Sequence, residues 1–249
     1  MHRVPPLAQV YAPIAHVNCK ARVPGKMERT TPDVNTDVSL VVAIDAAARQ
    51  WEPSPSDTVW RKSFYREGGE TGPVTSLVRY DAHSSFARHE HPDGEEIFVL
   101  EGVFSDEHGD YPAGSFLLNP PGFAHSPRSE AGCKLFVHLR QYGGPGRRHI
   151  ALDTSSLTWT PSDRANISRR QLYAEDRFPE SICLEQWAPG AKVTLGSGVA
   201  VIEIFVLSGT LTSPLGVHGS ESWIRAPARS AWLDLSAPDG CTLYVRTTN

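Results

Sequence analysis

The chain is expected to fold as an all-β protein made of two similar units in tandem, each a small barrel or sandwich. Three observations carry that expectation. A seven-residue segment recurs once, with its surroundings in the same order. Short β-branched and aromatic runs alternate with turn residues along the chain. No convincing amphipathic helix interrupts them. Residues 45–50 are a candidate short helix, but the corresponding residues 153–158 are poor in helix formers.

The repeat is the strongest of the three. Residues 96–102 read EIFVLEG and residues 203–209 read EIFVLSG, an offset of 107 from position 96 to position 203. Nearby features keep that offset within one residue. Trp51 corresponds to Trp159, Arg61 and Lys62 to Arg169 and Arg170, and Tyr65 to Tyr173. Leu77 and Tyr80 correspond to Leu184 and Trp187, and Gly132-Cys133 to Gly240-Cys241. Chance explains one such match but not an ordered series. Three units follow: an N-terminal arm at 1–36 without a counterpart, a first barrel at 37–149 and a second at 150–249. The arm is rich in Pro, Arg and Thr, which suits an extended or partly disordered leader, and Met27 is an alternative start.

Within each unit the strands are short. Residues 75–80, 97–100, 115–118 and 134–139 are apolar runs bounded by turn signals, and Glu107-His108-Gly109-Asp110 reads as a hairpin turn. Units of about 100 residues with this pattern form β-sandwiches or barrels. The 20 Gly and 20 Pro residues are spread without period, which fits turns rather than a low-complexity chain.

Composition excludes several classes. The net charge is −4 and no basic stripe is present, so nucleic acid is not an expected partner. No run approaches the ~18 apolar residues of a membrane span. Prolines and polar residues break the N-terminus, so it lacks the apolar core of a signal peptide. Four cysteines without a CxxC pair are read as reduced thiols. A cytoplasmic protein, monomeric or homodimeric, with a small-molecule substrate or ligand is expected.

The chemistry concentrates in the first unit. The chain reads Arg88-His89-Glu90-His91-Pro92-Asp93-Gly94-Glu95-Glu96. On a strand, His89 and His91 point to the same side. A turn at Pro92-Asp93-Gly94 returns the chain so that Glu95 opens the next strand. His125 follows Pro120-Pro121-Gly122-Phe123-Ala124. Three imidazoles and a carboxylate on neighbouring strands suit one divalent first-row transition metal: Fe, Mn, Co, Ni or Zn.

This arrangement resembles the cupin superfamily. One cupin pattern, G-x5-H-x-H-x3-E-x6-G, runs from position 83 through His89, His91 and Glu95 to Gly102. A second, G-x5-P-x-G-x2-H-x3-N, runs through Gly114, Pro120, Gly122 and His125 to position 129. His83 stands in place of the first Gly and Ser129 in place of the final Asn; neither is a ligand position. The segment HEHPDGEEIFVLEGVFSDEHGDYPAGSFLLNPPGFAHSPRSEAGC is most similar to the cupins of ChrR-type anti-sigma factors and of acetylacetone-cleaving dioxygenases. The resemblance implies a bicupin: two double-stranded β-helix (jelly-roll) barrels, with the metal on His89, His91, Glu95 and His125.

The second copy tests each ligand. His89 corresponds to Gly196, His91 to Gly198, Glu95 to Ile202 and His125 to Trp232. A degenerate second barrel without a metal site is therefore expected. Glu96 corresponds to Glu203, so Glu95 tracks with the metal while Glu96 tracks with the strand, in a cross-strand or interface role. Trp187, Trp223 and Trp232 are expected to fill the second barrel or pack between the barrels.

Three functions remain open at this level. The favoured one is a non-haem Fe(II)-type dioxygenase acting on a small diketone- or enolate-like molecule. Arg79, Arg88, Arg128 and His138 are candidates to orient that substrate. The second is a zinc-binding, non-catalytic ligand- or stress-sensing regulator of ChrR type; residues 1–36 offer only His16-x-x-Cys19, so direct anti-sigma action is not expected. The third is a Zn, Mn or Ni isomerase or hydrolase. Zn²⁺ closed by four protein ligands would leave no position for chemistry.

Overall fold

The computed structural model describes residues 31–195, 200–228 and 233–249. Apart from two short 3-10 turns, the regular structure of these residues is β-strand. The principal sheet of the first barrel runs in the order Ile150–Asp153, Ser115–Asn119, Glu95–Ser105, Cys133–Leu139, Val74–Tyr80, Val59–Arg66, Glu52–Pro53. The second has the equivalent order: Val42–Asp45, Ser222–Ala226, Val201–Gly209, Cys241–Thr248, Glu180–Trp187, Ile167–Ala174, Thr160–Pro161. Shorter strands oppose each principal sheet. In the first barrel these include His89–His91 paired with Phe123–His125; in the second they are Ala191–Leu195, Leu233–Ala237, Leu211–Ser213 and Gly216–His218. The chain is two tandem jelly-roll barrels.

The barrels exchange their outermost strands. Val42–Asp45 precedes the first barrel in sequence but pairs antiparallel with Ser222–Ala226 of the second. Ile150–Asp153 opens the second copy but pairs with Ser115–Asn119 of the first. Each copy thereby supplies the terminal strand that covers Ser222–Ala226 or Ser115–Asn119 in the other's sheet. The exchange ends in the same device twice. Asp45 caps the 3-10 turn Ala46–Ala48 by accepting from the Ala47 amide, and Asp153 caps Thr154–Ser156 by accepting from Ser155. The candidate helix at 45–50 is thus a single capped turn. Its partner forms despite poor helix formers because the Asp cap decides the geometry.

Three apolar clusters result. Ile167, Val193, Ile204, Leu211, Leu235 and Leu243 belong to the cluster that fills the second barrel. Trp187 sits in the same cluster, so it packs the interior as expected. A second cluster joins the barrels, with Phe64 and Phe136 from one copy and Phe205, Trp223 and Tyr244 from the other. Phe136 stacks on Phe205 at a centroid distance of 4.3 Å, and Phe64 on Trp223 at 5.8 Å. Trp223 is therefore an interface residue, and Trp232 lies outside the described residues. The third cluster lines the first barrel and leaves a cavity there.

The arm expected at 1–36 lies outside the described residues as far as position 30. Beyond it, Val34 bridges Arg66, and Arg225 of the second barrel donates to the Asn35 and Asp37 carbonyls. Among the described residues, no helix is long and apolar enough to cross a membrane.

Candidate metal centre

His89 and His91 share one strand, His89–His91, and lie on the same side of it as alternation requires. That strand pairs with Phe123–His125 in a register that sets His125 opposite His89 and Phe123 opposite His91. The turn between His91 and Glu95 depends on Gly94, at φ +73°. A Cβ there would lie 2.8 Å from Tyr142 Cβ and 3.0 Å from the Asn119 carbonyl, so a side chain has neither the conformation nor the room. Glu95 then enters the long Glu95–Ser105 strand pointing inward, and it is buried.

The three imidazoles converge. Among the described residues, one ring nitrogen from each of His89, His91 and His125 lies within 4.8 Å of the other two. His91 Nε2 and His125 Nε2 are 3.0 Å apart. Glu95 Oε2 is 3.4 Å from His91 Nε2 and 3.6 Å from His125 Nε2. This cluster could hold a metal ion.

The remaining polar atoms hold the rings in place. His89 Nδ1 donates to the Ala87 carbonyl at 2.8 Å, and His125 Nδ1 donates to Asp106 Oδ2 at 3.1 Å. A carbonyl and a carboxylate can only accept here, so both rings carry the Nδ1 proton and present a bare Nε2. Asp106 is itself fixed by its turn: its Oδ1 accepts from the amides of His108 and Gly109 at 2.8 and 3.2 Å. Asn119 Nδ2 donates to Glu95 Oε2 at 2.9 Å, and His149 Nδ1 donates to Asn119 Oδ1 at 3.0 Å. His149 stacks on Phe123, with centroids 4.8 Å apart and planes 9° from parallel.

Burial tunes these groups toward ligation. It drives His91 down to about 3, and like charge from His89 and Arg140 acts in the same direction. It also lowers His125, outweighing the opposing pull of Glu95 and Asp106. Both rings therefore stay neutral, with lone pairs available, through the physiological range. Burial raises Glu95 although His125 and Asn119 favour its charged form. A cation at the convergence point would reverse that shift, because it supplies the charge partner the buried carboxylate lacks. The donor set, its tautomers and its burial fit a divalent metal.

The site opens onto a cavity of about 110 Å³. Val59, Val78, Ile97, Phe104, Leu135 and Val137 form much of its wall. Tyr80, Phe86 and Arg61 also line it, and Phe86 packs against the His89 ring at 5.1 Å.

The four candidate substrate-orienting residues do not line this cavity. Arg79 pairs with Asp81 at 3.3 Å and lies over the rings of Trp51 and Trp60. Arg88 is exposed and pairs with Glu107 at 2.5 Å. Arg128 donates to the Asp106 carbonyl at 2.8 Å, so it braces the turn behind His125. His138 faces the other way, between the barrels. On the Cys133–Leu139 strand, Leu135, Val137 and Leu139 point into the cavity, and alternation turns His138 out of it.

The two departures from the cupin pattern are absorbed locally. His83 takes φ +59°, the conformation a Gly adopts freely, and its ring pairs with Glu130 at 2.6 Å on the surface. Ser129 donates to the Val103 carbonyl at 2.6 Å. In the second copy, Ile202 packs against the apolar interior where Glu95 stands in the first. Gly196, Gly198 and Trp232 lie outside the described residues. Asp106, Asn119 and His149 were not singled out from sequence. The hairpin signal at 107–110 marked the Asp106 turn but not its second task.

The ChrR cupin-like domain family matches residues 40–143 and again 147–249. The chain belongs to this family. Both barrels are thus ChrR-type cupins, and only the first keeps the three-histidine cluster among the described residues. Solved structures share the fold. A candidate dioxygenase from Nostoc punctiforme superposes with a TM-score of 0.73 at 16% identity, over 85% of this chain and 83% of that one. The pirin YhhW of Escherichia coli, solved with nickel(II), gives 0.62 at 14% identity over 84% and 99%. The Escherichia coli protein Ylba gives 0.66 at 14% over 88% and 95%. No curated protein matches the sequence.

Proposed function

We propose that this bicupin is a metal-dependent oxidoreductase, a non-haem Fe(II)-type dioxygenase acting on a small diketone- or enolate-like molecule. His89, His91, His125 and Glu95 would hold the ion. The observation that carries the reading is the convergence of three imidazoles and a buried carboxylate at an apolar cavity of about 110 Å³. That volume is below the ~300 Å³ of common small-molecule pockets, so the substrate is a molecule of few heavy atoms. When bound, such an ion supplies Lewis acidity and, as iron, the one-electron chemistry that dioxygen needs. The chain's own residues do the rest. Ala87 and Asp106 fix the ring tautomers, Asn119 aims the Glu95 carboxylate, and the aliphatic wall excludes water from the substrate.

The decisive test is anaerobic loading with Fe(II), followed by oxygen uptake with a series of β-diketones. Turnover coupled to oxygen consumption supports the proposal; absence of uptake with every diketone overturns it. Family membership favours a second reading, a ChrR-like regulatory cupin binding zinc in closed coordination. Zinc at one equivalent per chain without a bound water would favour the regulator.

A further inference from the structure

His149 ends a hydrogen-bonded chain that begins on the carboxylate beside the three histidines. Asn119, fully buried, stands opposite Glu95 in the strand register and donates from Nδ2 to Glu95 Oε2 at 2.9 Å. Oε2 is the carboxylate oxygen that faces His91 and His125. An ionised carboxylate only accepts, so the Asn119 amide is committed: Nδ2 faces Glu95 and Oδ1 faces His149. Oδ1 takes the Nδ1 proton of His149 at 3.0 Å. Loss of that donor would cost the buried Oδ1 this partner and free the amide to turn away from Glu95.

The strand exchange delivers His149. It directly precedes Ile150–Asp153, the strand that opens the second copy and pairs with Ser115–Asn119, where Ile150 stands opposite Leu118. The second barrel repeats this geometry with different residues. Val41 directly precedes Val42–Asp45, where Val42 stands opposite Arg225, and Ile202 stands opposite Ala226 as Glu95 stands opposite Asn119. Glu95, Asn119 and His149 therefore correspond to Ile202, Ala226 and Val41, all of which belong to or pack against the apolar cluster of the second barrel. The three residues are polar together in the copy with the histidine cluster and apolar together in the copy where Ile202 replaces Glu95. Residues of this exchange with a purely structural duty behave differently: Asp45 and Asp153, which cap the same turn, are kept in both copies.

We infer that His149 is a positioning residue of the metal centre: it locks the Asn119 amide, which in turn holds the Glu95 carboxylate toward the histidines. The site in the first barrel is thereby completed by a residue that arrives with the first strand of the second copy. This rests on the metal-site reading above and adds to it a residue that acts on the ion only through Asn119 and Glu95. His149 is also exposed and stacked flat on Phe123, so its packing and its hydrogen bond are separable by substitution.

The test loads the full chain with Co(II), whose visible spectrum reports the ligands at the metal, and measures affinity by competition with a chromophoric chelator. His149→Phe keeps the flat stack and removes the donor. His149→Asn removes the stack and keeps a donor nitrogen in the place of Nδ1. His149→Phe is expected to weaken Co(II) binding about tenfold, the lower end for an outer partner of a metal ligand, and to change the visible bands. His149→Asn should restore the wild-type affinity and spectrum. Asn119→Ala, which copies Ala226, should weaken Co(II) at least as much as His149→Phe, and combining the two should cost nothing further, because both act in one chain. Wild-type behaviour of His149→Phe, equal loss in His149→Asn, or additive losses in the double variant would each overturn the inference. A wild-type chain that takes up no Co(II) overturns the metal-site reading instead, and the two failures are told apart by metal content.

Discussion

Glu96 and Glu203, the same position in the two copies, meet on either side of His138, with Nδ1 2.9 Å from Glu96 Oε1 and Nε2 3.4 Å from Glu203 Oε2. His138 is opposite Glu96 in its strand register just as Arg246 is opposite Glu203 in the second barrel. Arg246 Nη1 donates to Glu203 Oε1 at 2.9 Å, and the Tyr142 and Tyr244 hydroxyls both donate to Glu96. Trp223 Nε1 donates to Glu203 Oε2 at 3.0 Å. The barrels are therefore joined by a buried, charge-balanced cluster inside an aromatic interface.

That cluster predicts a two-sided pH dependence of stability. Burial pulls His138 down, but Glu96 and Glu203 outweigh it and its value is raised above 6.5. Its contribution is complete below about 6.5 and is lost as the pH rises through the raised folded value. Glu203 works in the opposite sense. Burial raises it, but His138 and Arg246 hold it at about 2, so its contribution is present above 4.5 and is lost as the pH falls toward 2. Urea midpoints measured across pH should peak in the mildly acidic range. His138→Gln should lower stability by about 3–5 kcal/mol there and flatten the alkaline limb. An alkaline limb unchanged in the variant would contradict the assignment.

The adjacent glutamates should separate cleanly. Glu95→Gln is expected to weaken metal binding with the fold intact, because Glu95 faces the histidines. Glu96→Gln should leave the metal stoichiometry unchanged and destabilise the barrel pair by about 3–5 kcal/mol, because Glu96 lies within the buried interface cluster. Metal content and thermal unfolding of both variants check this; a reversed pattern would refute it.

Asp106 is expected to act on the metal through His125. Asp106→Asn keeps the turn acceptor but allows the amide to face the ring, so metal affinity should fall by about 10–100-fold with little loss of secondary structure. Competition with a chromophoric chelator reads the change. An affinity equal to wild type would remove Asp106 from the site.

Trp223 should matter as an interface anchor. It is fully buried and stacks on Phe64 of the other barrel. Trp223→Ala should cost about 3–5 kcal/mol in chemical denaturation, the range for a buried aromatic. A loss under 1 kcal/mol, the scale of a surface substitution, would place the interface energy elsewhere.

Much of this was legible in the sequence. The EIFVL repeat announced two barrels, and the His89, His91 and His125 spacing announced the cluster, because strand alternation and a Gly turn act locally. Assigning Glu96 to the strand rather than the metal needed only its survival as Glu203. What escaped was set by tertiary pairing. The exchange of Val42–Asp45 and Ile150–Asp153 between barrels depends on which sheet edge each strand finds, and no local signal encodes that choice. The task of His138 depended on strand parity, which a bulge between Lys134 and Leu135 obscures. Arg79, Arg88 and Arg128 lie outside the cavity lining, because charge alone does not tell a surface ion pair from a cavity wall. Among the described residues, Arg61 is an arginine that does line the cavity.

The central claim is that His89, His91, Glu95 and His125 form one metal centre in the first barrel and that the second has none. Elemental analysis of the purified full chain beside His91→Ala and His125→Ala tests it most directly. The account predicts one divalent first-row metal ion per wild-type chain and none in either variant, with all three folded by circular dichroism. Two ions per chain, or stoichiometric metal that persists in both variants, would contradict it.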